Sequence, residues 1–168
     1  YGGFGAWQNV ERFVRAQHFD EFRDASSFTG EKGGNAWGVP DKVLFDNAAN
    51  YIKQHTNEKI FHLILTTTNH PPYTIDLKAA GFDSERVQKN LPDTIPTDAN
   101  TLNELGHIWY ADHVMGEFVE ETEKAVPDSL FVITGDHGER FSFAKEMDLQ
   151  TLASIPCIFY GKGIDPAW

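Results

Sequence analysis

The chain has 168 residues, with 14 Lys and Arg against 25 Asp and Glu, a formal net charge of −11 with histidine neutral. Hydrophobic content of 40% with 13% aromatic supports a packed core and excludes a disordered chain, and −11 excludes a nucleic-acid binder, which needs a basic face. The single cysteine, Cys157, excludes an internal disulfide and any multi-cysteine metal site.

Trp7, Val10, Phe13 and Val14 fall at helical spacing, which predicts a short amphipathic helix over 7–17. Four glycines make 29–38 a loop. Pro40 suits a first helical turn, Asp41 suits its positive dipole end, and the apolar spacing carries that helix to about residue 54. Residues 60–67 are nearly continuous in apolar or β-favouring side chains and read as a buried central strand. With prolines at 71, 72, 92 and 96, residues 69–97 read as a long surface excursion. Asp98 can cap a helix running to about residue 124, with Leu102, Leu105, Ile108, Trp109, Val114, Met115, Phe118 and Val119 as its apolar stripe. Residues 130–134 read as a second buried strand and 155–160 as a third. Strand, long helix, strand is a βαβ unit, which predicts parallel strands and a right-handed crossover. No stretch approaches 18 consecutive apolar residues. The chain opens on Tyr1 rather than Met, and we expect it to be part of a longer polypeptide.

In open parallel sheets, ligands sit at the carboxyl ends of strands. One such end is Thr67-Thr68-Asn69-His70, and the other is Gly135-Asp136-His137-Gly138-Glu139-Arg140. In the second, a carboxylate and an imidazole at adjacent positions can reach one cation where the backbone turns, and oxygen plus nitrogen ligation suits zinc or manganese. The alternative is a solvated surface turn, with Glu139 and Arg140 paired to each other. His70, stiffened by Pro71-Pro72, can donate to a phosphate or sulfate oxygen or protonate a leaving group, or else bond to backbone. Asp112 reads as an anchor for a neighbouring loop. Trp37 and Trp109 read as core or interface aromatics, Cys157 as a buried thiol, and His18, His55, His62 and His107 as structural. No P-loop, dinucleotide fingerprint or Gly-x-Ser-x-Gly elbow is present.

Five motifs combine in order. Tyr1-Gly2-Gly3 is followed by Trp7-Gln8-Asn9 and Phe13; Trp37-Gly38-Val39-Pro40-Asp41 by Leu44-Phe45. Then come Thr68-Asn69-His70-Pro71-Pro72-Tyr73, Tyr110-Ala111-Asp112 with Gly116 and Phe118, and Thr134-Gly135-Asp136-His137-Gly138 with Ile155-Pro156-Cys157. Together they resemble the lipoteichoic-acid-synthase-like (phosphoglycerol transferase) branch of the sulfatases, within the alkaline phosphatase superfamily. The resemblance implies an α/β fold, a doubly wound and mainly parallel sheet with helices on both faces. It implies that residues 1–168 are the C-terminal part of the catalytic domain, without an internal boundary.

The resemblance also implies a divalent ion, manganese or zinc, held by Asp136 and His137. His70 would contact the substrate phosphate or sulfate, and Trp7 and Asn9 would lie near the head group, although the Arg of lipoteichoic acid synthases after Trp-Asn has no match. The nucleophilic Thr and an acidic metal ligand belong upstream of Tyr1 in that family, so the isolated chain is expected to be inactive. The implied activity is phosphoglycerol or phosphoryl transfer from an anionic phosphodiester head group. The parent would be membrane-anchored, working on the extracytoplasmic face of the cell envelope. A sulfatase-type sulfuric ester hydrolase is the alternative on the same scaffold, and a non-catalytic binding domain is the alternative of another class. No histidine follows His137, which sets the chain apart from phosphoethanolamine transferases.

Overall fold

A computed structural model describes residues 1–29, 33–138 and 148–165. A 3₁₀ turn, Trp7–Asn9, leads into α1, Val10–Ala16. Gln8 and Asn9 both take left-handed backbone angles there (φ 46° and 57°), a conformation that Asn tolerates better than most residues. Helix α2, Asp41–Gln54, buries Asp41, Leu44, Phe45, Ala49 and Ile52 at helical spacing. Helix α3, Ser84–Asn90, starts where the Asp83 carboxylate accepts the Arg86 N–H at 2.9 Å. Helix α4, Ala99–Ala125, begins at Asp98, whose carboxylate accepts the amides of Asn100 and Thr101. At 27 residues it spans about 40 Å. Strand β1, Leu130–Thr134, short helix α5, Leu149–Ala153, and strand β2, Cys157–Gly161, follow.

The main core lies between α2 and α4. Phe45 and Phe118 stack at 4.9 Å, and Ala49, Ile52, Tyr110 and Val114 close around them. Gly106 lets the adjoining 69–97 segment approach α4: a Cβ there would fall 2.3 Å from Leu77 Cδ1. A second, smaller core joins Ala25, Phe28, Val39 and Leu44, and Ile64 packs against both. These two cores fix the start of α2 relative to the 60–68 segment, where the site is built.

The helices over 40–54 and 98–124 form as expected. The buried face of α4 differs from the expected stripe: Gly106, His107, Tyr110, Val114, Phe118 and Thr122 are buried, whereas Leu102 and Leu105 are only half-buried. The expected excursion over 69–97 contains α3. Asp112 is exposed on α4 rather than turned towards a loop.

The strands depart most. β1 and β2 pair antiparallel, Leu130 opposite Gly161 and Thr134 opposite Cys157. Residues 60–67 join no ladder among the described residues. The Gly2 N–H does bond the Leu65 carbonyl at 2.9 Å, but a strand needs a continuous partner, and the expected parallel βαβ pairing is absent from the described residues. As a result Phe61 and Leu63 are 76% and 64% exposed. Cys157 is exposed rather than buried, because nothing among the described residues covers the outer side of β2.

Candidate functional site

The first candidate strand end is built on Asp41. Its Oδ1 accepts the Thr67 and Thr68 amides at 2.9 and 3.1 Å, and its own N–H donates to Thr68 Oγ1 at 2.9 Å. Thr67 Oγ1 donates to the Val39 carbonyl at 3.2 Å. The turn closes where the His70 N–H bonds the Thr67 carbonyl at 3.0 Å, and a cis Pro71-Pro72 bond follows. Asn35 Nδ2 holds the Pro72 carbonyl at 2.9 Å, and the Ile75 N–H donates to His107 Nε2 at 3.1 Å. His107 is fully buried, and its Nδ1 donates to the Asn103 carbonyl, so it is a satisfied structural histidine as expected.

His70 is therefore held from several sides. Its Nδ1 lies 2.7 Å from the Pro71 carbonyl, and a carbonyl only accepts, so Nδ1 carries the proton. Nε2 is left as a lone pair in the neutral ring or a second N–H donor in the imidazolium. The Trp37 ring lies against the His70 ring, centroids 3.5 Å apart, and Trp7 meets Trp37 edge-on at 5.2 Å. Trp7 and Asn9 are exposed beside this cluster in the chain. The structure thus brings Trp7, Trp37 and His70 together, with Trp37 as the aromatic between the other two.

The motifs meet because glycines let backbones touch. Gly3 bridges to Gly38, and the Val39 N–H donates to the Gly2 carbonyl at 2.9 Å. A Cβ on Gly38 would lie 2.0 Å from that Gly2 oxygen. Trp37 is thereby locked between the Tyr1-Gly2-Gly3 segment and His70.

The second candidate end follows β1. Asp136 Oδ1 accepts the His137 N–H at 3.0 Å, and Asp136 Oδ2 stands 3.8 Å from His137 Nε2. Two ligands each about 2.0–2.2 Å from a single cation can be separated by that distance, so this oxygen and nitrogen fit a shared zinc- or manganese-type ion. Among the described residues no group of three or more His, Cys, Asp or Glu could hold a metal. Asp136 and His137 thus stand as a pair, with no third such group beside them among the described residues. Glu139 and Arg140 lie outside the described residues.

Sequence reading took Trp37 as a core or interface aromatic and Asp41 as a dipole partner and joined neither to His70, although the Trp37-Gly38-Val39-Pro40-Asp41 motif contains both.

Comparison with known proteins settles the family. The Sulfatase family profile matches residues 1–167. The chain belongs to the Sulfatase family. It is similar to the lipoteichoic acid synthases of Staphylococcus aureus strains USA300 and NCTC 8325 / PS 47. Each is 26% identical over 140 residues, which cover 82% of this chain and 20% of theirs. The chain thus spans about a fifth of the length of the curated relatives it matches. A crystal structure of a protein in the alkaline phosphatase superfamily from Vibrio parahaemolyticus superposes with a TM-score of 0.72 at 24% identity. The superposition covers 99% of this chain and 38% of that one. This Sulfatase-family chain accordingly has the α/β fold of that superfamily, present here as a partial domain of helices and a small sheet.

Proposed function

We propose that the intact protein containing this chain is a metal-dependent phosphoglycerol transferase or related phosphotransferase acting on phosphodiester lipid head groups. Residues 1–168 form the C-terminal part of its catalytic domain. The observation that carries the reading is the Asp136–His137 pair, 3.8 Å apart at the end of β1 in a Sulfatase-family chain similar to lipoteichoic acid synthases. A bound manganese or zinc ion supplies Lewis acidity, which favours the alkoxide form of a hydroxyl nucleophile and polarises the ester oxygen. Asp136 and His137 would hold it, with the remaining ligands contributed by sequence outside residues 1–168.

The other residues have separate tasks. A Thr outside residues 1–168 forms the new O–P bond as the ester bond to the leaving alcohol breaks, leaving a covalent phosphoryl-Thr intermediate. His70, with Nδ1–H tied to Pro71, presents Nε2–H to the phosphoryl oxygen or gives that proton to the departing oxygen. Trp37 backs the imidazole with its ring, and Trp7 and Asn9 line the head-group side. An acceptor hydroxyl then attacks phosphorus, its proton returning to the neutral His70 Nε2 as the Thr O–P bond breaks and the Thr alkoxide is released. The extracytoplasmic location and membrane anchor proposed for the parent follow from the similarity to lipoteichoic acid synthases; no described helix of this chain is long and apolar enough to cross a membrane.

The test is an assay of the intact protein on bis(4-nitrophenyl) phosphate beside 4-nitrophenyl sulfate. Phosphodiester cleavage is expected to exceed sulfate release, and His70→Ala to lower kcat by about 10²–10⁴-fold. Preferred sulfate release selects the sulfuric ester hydrolase, which the family name keeps as the second reading. Absence of both activities selects the non-catalytic domain.

A further inference from the structure

We propose that Asp41 is a positioning residue for His70: a buried carboxylate that sets the imidazole by taking the amides of Thr67 and Thr68. The proposal rests on the reading of His70 as a substrate contact.

Asp41 is 0% exposed, and burying a carboxylate is costly unless its environment compensates. No ion pair among the described residues includes it. Its carboxylate caps no amide of its own helix, where Pro40 occupies the N-cap. Its Oδ1 instead reaches a segment 26 and 27 positions away, and its own N–H takes Thr68 Oγ1. Thr68 is buried as well. Burial pushes the Asp41 pKa up, and the bonds from Thr67 and Thr68 oppose that rise. Its Oδ2 has no hydrogen-bond partner. The carboxylate is thus used one-sidedly, on the two amides that open the His70 loop.

The consequence for His70 is direct. Thr67, whose N–H Asp41 holds, gives its carbonyl to the His70 N–H. Trp37, four residues before Asp41, lies against the His70 ring. Asp41 therefore fixes the backbone that presents the imidazole, from the same segment whose Trp37 backs the ring. An imidazole misplaced by about 1 Å costs on the order of 10²-fold in rate.

The experiment is a double-mutant cycle in the intact protein, reading kcat and KM on bis(4-nitrophenyl) phosphate, with thermal unfolding to establish folding. Asp41→Ala is expected to lower kcat about 10²-fold with a smaller change in KM, and to have no further effect when His70 is already Ala. Asp41→Asn keeps the shape and one acceptor oxygen but weakens two charge-assisted bonds, so it lowers kcat only about 3–10-fold, again only with His70 present. It carries the test if Asp41→Ala does not fold. A folded Asp41 variant with wild-type kcat overturns the proposal. So does an equal fractional loss in both His70 backgrounds, the mark of a general structural role. If His70→Ala alone leaves kcat unchanged, the reading of His70 fails first and takes this proposal with it.

Discussion

Two carboxylates near the site behave oppositely. Asp41 has a raised pKa because burial outweighs the bonds it accepts. At Asp24, burial also pushes upward, but hydrogen bonds from the Ser26 side chain and the amides of Gly5, Ser26 and Ser27 outweigh it and hold the pKa below the ordinary value. The Gly5 bond, 2.7 Å to Asp24 Oδ2, ties the segment just before Trp7. For a lowered acid, the stabilisation is present above the unfolded-state value and is lost as pH falls through the folded value. Stability should therefore drop below about pH 4, and Asp24→Asn should flatten that acid limb. At neutral pH the same change should cost about 1 kcal/mol, reduced by solvent screening. Urea unfolding of the intact protein at pH 3.5 and 7 measures both.

Among the elements, those with end signals were legible and those that need distant partners were not. Asp98 marked the start of α4, because a cap is a local bond written within three residues, and Pro40-Asp41 marked that of α2 through the fixed proline φ and an acidic first turn. Residues 60–67 carry the composition of a central strand, yet ladder formation depends on neighbours that a local pattern does not supply. Helix α3 was hidden among prolines, though Asp83 marked its start. His70 and the Asp136–His137 pair stood out in the sequence because they follow strand-like runs, and their roles belong to the proposed function. Trp37 did not stand out, because an aromatic beside a glycine reads equally as core, and only the Gly3–Gly38 contact shows where its ring must go. That contact makes a prediction about the element it joins. Gly38→Ala places a methyl 2.0 Å from the Gly2 oxygen and must part the two segments, at a cost of roughly 1–3 kcal/mol. A lowered denaturation midpoint with unchanged m-value is the expected result.

At the scale of the molecule, the surface is too large for the mass. A monomer of 18.9 kDa has roughly 8,300 Å² of accessible surface, whereas this chain has 11873 Å². Part of the excess is apolar: Phe61, Leu63 and Leu65 along 60–67, and Leu130, Val132, Ile158 and Phe159 on the β1–β2 pair. Strands apolar on both faces are built to be covered on both. This supports the proposal that the rest of a Sulfatase-family domain packs there and completes the ligand set begun by Asp136 and His137. Elemental analysis of the intact protein, wild type beside His137→Ala, tests that claim most directly. The account predicts stoichiometric manganese or zinc in the wild type, lost together with phosphodiester cleavage in a folded variant. Wild-type metal content in His137→Ala would contradict it.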